Sequence, residues 1–145
     1  MFNKSLLKIL CLCSALTGAI LGVLPLIPAL TITAFILVMF FVAPFIIIYL
    51  KHLNFIKDIE MEQGLVLGAI SGCCAFLGFS IIYFPIAFLL NLIFKIQSFL
   101  WIKVIFVNFG FLIPMIILIA LLSGLLNMFS AFLTIYFYDY FRAKK

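Results

Sequence analysis

Three stretches without a single charged side chain dominate this sequence: Ile9 to Leu50 (42 residues), Gln63 to Phe94 (32 residues) and Val104 to Tyr138 (35 residues). One helical crossing of a hydrocarbon core about 30 Å thick takes about 20 residues at 1.5 Å each. The first stretch therefore holds two crossings and the others at least one each. Composition points the same way. The chain of 145 residues is 69% hydrophobic and 9% charged, against roughly 45–50% and about 25% in ordinary globular chains. Nine basic and four acidic side chains cannot cover the surface of a soluble fold this size, so lipid is the outer solvent. The sequence predicts an all-α integral membrane protein, a single polytopic domain over 1–145 with about four transmembrane helices in a bundle.

Proline and glycine locate the turns. Pro25 and Pro28 stand three apart, where each removes a backbone donor and disfavours helix in the residue before it. The chain should reverse there, with helices over 5–24 and 29–50 on either side. Pro44 falls inside the second helix and predicts a kink, tolerated in a bilayer when neighbouring groups take up the freed carbonyl. The polar loop 51–63 joins two hairpins. A third helix over 64–92, with Pro85 as a second kink, would be about 43 Å long and must tilt, bend or protrude; a re-entrant hairpin broken near Gly78 is the alternative. Residues 94–107 mix Lys95, Gln97, Ser98 and Lys103 with the only tryptophan, Trp101, and read as an interfacial segment. A fourth helix over 109–138, with Pro114 in its first turns, runs into the aromatic, basic stretch Tyr136 to Arg142.

The basic residues set an orientation. Lys4, Lys8, Lys51, Lys57, Arg142, Lys144 and Lys145 would lie on one face of the membrane, and only Lys95 and Lys103 on the other. By the positive-inside rule, both termini are expected on the cytoplasmic side. The net charge of +5 then reflects topology and gives no reason to expect nucleic acid. Small size and charge bias suggest a bacterial inner (plasma) membrane. Lys4 and Lys8 before an apolar run also resemble a signal-peptide start, with Ala15-Leu16-Thr17 as a poor cleavage site. The apolar run continues past that point far enough to span, so it reads as the first helix.

The clearest motif is a glycine zipper, Gly64-x-x-x-Gly68-x-x-x-Gly72, matched by Gly18-x-x-x-Gly22. Spacing of four places small residues on one helical stripe, where a partner helix can approach closely. These five glycines are the expected helix-packing positions, joining helices 1 and 3 within a chain or joining two chains. Gly18 to Val23 and Gly64 to Ala69 also form a faint repeat, a feature common in transporters but equally produced by any Gly- and Leu-rich membrane chain.

Groups able to do chemistry are scarce. Cys11, Cys13, Cys73 and Cys74 lack structural zinc spacing and read as small apolar side chains within helices, with acylation of Cys11 or Cys13 a weaker reading. His52 belongs to the polar loop, and Asp58, Glu60 and Glu62 read as a solvated acidic face. Asp139 and Arg142 are spaced to pair across one turn. No catalytic, cofactor-binding or metal site is expected, and the chain does not read as an enzyme. Within the apolar runs only neutral polar residues remain. Asn127 stands out, because an amide in hydrocarbon requires a partner; it forms an interhelical hydrogen bond or lines a small polar cavity. The expected role is that of a structural or accessory membrane component associating through small-residue faces. The alternative is a small oligomeric channel or permease for neutral or hydrophobic solutes. The expected partners are the lipid bilayer and either a second copy or another membrane protein.

Overall fold

The computed structural model describes residues 4–53, 61–94 and 109–143. Of the interfacial segment expected over 94–107, residues 95–107 lie outside the described residues, as do Lys57, Asp58 and Glu60 of the loop and the side chains of Asp139 and Arg142. Every described element is helical: α1 (Lys4–Leu21), α2 (Thr31–Ile36), α3 (Val42–His52), α4 (Met61–Phe94) and α5 (Phe109–Ala143). Four spans are long and apolar enough to cross a membrane: Leu6–Leu26, Pro28–His52, Met61–Ile93 and Gly110–Tyr138.

The first reversal follows proline chemistry. Short 3-10 turns at Leu24–Leu26 and Pro28–Leu30 flank Ile27, whose backbone is extended (φ −91°, ψ 112°) because the Pro28 ring crowds the helical conformation of the residue before it. The Thr31 hydroxyl donates to the Pro25 carbonyl at 3.3 Å and closes the turn.

The second span is broken rather than simply kinked. Between α2 and α3 lies one π turn, Leu37–Phe41, three residues before Pro44. A proline inside a helix removes the donor that would reach the carbonyl four residues back, and its ring crowds that carbonyl. Widening to an i→i+5 turn moves the chain out of the collision. By contrast α4 and α5 continue through Pro85 and Pro114. The third span is one helix of 34 residues, roughly 51 Å long, and so exceeds the hydrocarbon core by more than the sequence suggests.

Span α4 lies at the centre. In its window 44% of residues are buried, against 28–33% in the other three, because it packs α1 on one side and α5 on the other. Both seams use small residues. A Cβ placed on Gly18 would collide with the Ala75 carbonyl oxygen, and one on Gly78 with that of Ala15; along this seam α1 and α4 run in the same direction. On the other side, a Cβ on Gly72 would meet the Ser123 carbonyl at 2.6 Å, and one on Gly68 the Ala131 Cβ at 2.6 Å. The pairing of the two glycine stripes with each other, expected from sequence, is therefore not what forms. Gly18 and Gly22 meet Ala75 and Phe79 of α4, whereas Gly68 and Gly72 face α5. A helix carrying small residues on two faces can hold two neighbours at once. Phe35 of α2 then packs on Phe79 and Tyr83 of α4, with ring centroids 5.1 and 6.2 Å apart.

Candidate functional site

Two groups stand out among the polar side chains of the spans. Ser14, Thr17, Ser80 and Thr134 each donate to the carbonyl one turn back in their own helix, that of Leu10, Cys13, Phe76 and Ser130 respectively. Ser71 does the same toward Gly68 at 2.9 Å. This back-bonding is the usual way for a hydroxyl to satisfy itself in an apolar helix. Ser123, Asn127 and Ser130 on α5 instead reach other spans.

Asn127 lies at the break in the second span and is wholly buried, at 0% exposure. Its Oδ1 accepts from the Ala43 N–H at 2.9 Å. Its Nδ2 lies 2.9 Å from the Val38 carbonyl, 2.8 Å from that of Met39 and 3.0 Å from that of Ser123, with the Ser123 hydroxyl at 3.4 Å. Two amide hydrogens are thus shared among four oxygens. Three residues further on, the Ser130 hydroxyl donates to the Phe40 carbonyl at 2.5 Å. Phe40 is four residues before Pro44, so this is the carbonyl that the proline nitrogen would have bonded had it carried a hydrogen. The Ser123 hydroxyl donates to the Gly72 carbonyl of α4 at 3.2 Å, tying the same stripe of α5 to the central helix.

The arrangement replaces missing backbone hydrogen bonds with side-chain ones. An unsatisfied amide or carbonyl in hydrocarbon costs several kcal/mol, and α5 supplies one acceptor and two sets of donors where the second span lacks them. Among the described residues no buried side-chain nitrogen or oxygen is left without a partner. Asn127 is enclosed by these partners. Asn91 and Tyr83 are also buried, at 5% and 1% exposure.

An apolar cleft of about 200 Å³ adjoins the break, lined by Thr17, Leu21, Leu37, Phe41, Val42 and Phe45. Of these, Val42 is buried, and Phe41 and Phe45 are exposed. Its surface is wholly apolar, so it suits hydrocarbon and offers nothing to an ion.

The remaining candidates are dispersed. His52 is exposed at the end of α3, and Glu62 is exposed in the first turn of α4, where a negative charge suits the helix dipole. Lys51 stacks on the Tyr138 ring, its Nζ 3.8 Å from the centroid, joining the end of the second span to the end of the fourth. All four cysteines are free thiols and partly buried. Sequence reasoning singled out Asn127 but not its partners. Ser130 and Pro44 were visible separately, and no local pattern linked them across 86 residues. The chain matches no family model, no curated protein and no solved structure.

Proposed function

We propose that this protein is a structural or accessory component of a membrane, without enzymatic activity, embedded with both termini on the cytoplasmic face of a bacterial inner membrane. One observation carries the reading: Asn127, the most deeply buried amide of the spans, is spent on the chain's own backbone at the break in the second span. Side chains used in this way hold a shape. The glycine stripes are used within the chain as well. Association with a second copy or another membrane protein then falls to the lipid-facing surface, which carries large apolar side chains such as Ile32, Ile81, Phe111 and Leu118.

The broken second span favours a second reading, a small permease for neutral or hydrophobic solutes. Transporters often place their sites where a helix is interrupted at membrane depth, and π turns recur at functional positions. The apolar cleft beside the break would admit a hydrophobic solute. Stopped-flow light scattering on proteoliposomes separates the two readings. The accessory role predicts glycerol permeation no faster than through protein-free liposomes, together with a discrete mass in nanodiscs that reports any self-association. Permeation well above the protein-free rate would overturn the accessory reading.

A further inference from the structure

The apolar cleft beside the break has a depth as well as a lining. Phe41 and Phe45 border it, and Tyr49 and His52 continue from them along α3 at spacings of four and three. At these spacings the four side chains fall on one helical stripe, and all four are exposed. The stripe ends at His52, beside Lys51, where the second span reaches its polar boundary. Eleven residues separate Phe41 from His52, about 17 Å along the helix, and half of a hydrocarbon core is about 15 Å. The cleft therefore lies one leaflet below the headgroups, at the foot of an exposed stripe that descends from them.

We propose that the cleft seats the end of one phospholipid acyl chain, from a lipid whose headgroup lies at Tyr49 and His52. Three observations select this occupant. The lining is wholly apolar, and the Thr17 hydroxyl is turned back onto the Cys13 carbonyl, so the cleft offers water and polar solutes no partner. Its volume of about 200 Å³ admits a single hydrocarbon chain but not a helix, which measures about 10–12 Å across with its side chains. Its depth matches the distance that a chain anchored at the level of His52 descends. Seated there, the chain touches Leu21 of α1 and Leu37 and Val42 of the second span at once, and the dispersion contacts of two spans add. Leu37 and Phe41 are the two ends of the π turn, so the break that accommodates Pro44 also shapes the cleft.

The site goes beyond the accessory and permease readings, and its test measures neither association nor flux. Full-length protein is placed in phosphatidylcholine nanodiscs that carry a phospholipid with a diazirine at the end of one acyl chain, then illuminated and analysed by peptide mapping. Leu125 and Phe129 of α5 serve as the reference for ordinary surrounding lipid. Both are exposed, and they flank Asn127, which bonds to Val38 and Ala43 and so lies at the depth of the break. The expected result is label concentrated on Leu21, Leu37 and Phe41, in excess of that on Leu125 and Phe129. Thr17→Phe, which fills the cleft, loses the excess and leaves the reference positions labelled as before, whereas Thr17→Val, which removes only the hydroxyl, keeps it. The proposal is overturned if the native protein is labelled no more at the cleft than at Leu125 and Phe129, as it would be with a second copy or a small apolar solute in the lipid's place. An excess that survives in folded Thr17→Phe overturns it as well. The first comparison uses the native sequence, so it decides even where Thr17→Phe does not fold.

Discussion

Asn127 does with one amide what several backbone groups would do in an unbroken helix. Leucine at this position would leave the Ala43 N–H without an acceptor and take the amide donor from Val38 and Met39. A single interhelical hydrogen bond in a membrane protein averages about 0.6 kcal/mol and reaches about 1.7 kcal/mol. With several lost together, Asn127→Leu should cost about 2–4 kcal/mol, read as lowered unfolding free energy in a detergent titration. Asn127→Asp keeps the acceptor for Ala43 but removes the donors and sets a carboxyl against carbonyl oxygens, so it should fare no better. Glycine gives a second contrast at this scale. At Gly18 a methyl group would collide with the backbone oxygen of Ala75, which can move only if α1 leaves α4, whereas at Gly110 nothing lies within 4 Å. We expect Gly18→Ala to destabilise by about 2 kcal/mol or more. Gly110→Ala should stabilise by about 0.4–1 kcal/mol, through lost freedom in the unfolded chain. Thermal melts of both variants check the opposite signs. That Asn127 needs a partner was legible from polarity alone. Which partner it takes depends on the relative depth and rotation of two distant helices, and no local spacing encodes that.

At the scale of the element, the second span shows how a proline is accommodated. Ser130 stands in for the donor that Pro44 lacks, and this makes a double-mutant cycle informative. Ser130→Ala should cost about 1 kcal/mol beside Pro44, but much less in a Pro44→Ala background, where the restored N–H can reach the Phe40 carbonyl itself. Equal costs in the two backgrounds would show that Ser130 does not act as the substitute donor. The proline was plain in the sequence as a point of bending. The π turn was not, because three prolines here lie inside helical spans and only Pro44 is accompanied by one. Its neighbours differ in what faces them: Asn127 and Ser130 of α5 supply side-chain partners to carbonyls exposed by a wider turn. The glycine stripes were similarly half legible. Spacing of four marked Gly18, Gly22, Gly68 and Gly72 as contact positions, but a period along one helix cannot say which neighbour each face meets.

At the scale of the whole molecule, three charge-free apolar stretches, the first long enough for two crossings, were enough to reveal an all-helical chain with four spans, since that argument uses only length and solvent. The central place of α4 was not visible, because all four spans have similar hydropathy, between 2.3 and 2.7, and mean hydropathy does not distinguish lipid from protein as the surrounding medium. The proposed orientation predicts that a fluorescent reporter fused to the C-terminus is active and that a phosphatase fused there, which needs the periplasm, is not. The opposite pattern would reverse the sidedness and shift Lys51 and Tyr138 to the outer face.

The stitch across the second span also bears on the order in which the protein can be made. Val38, Met39 and Ala43 leave the ribosome more than eighty residues before Asn127 does, so the first hairpin enters the membrane with an unfinished backbone. Until the fourth span arrives, that hairpin must borrow water, lipid headgroups or the insertion machinery to satisfy its open carbonyls. Assembly is therefore completed from the C-terminal end backward, and a chain interrupted before α5 leaves a marked defect for membrane quality control to find.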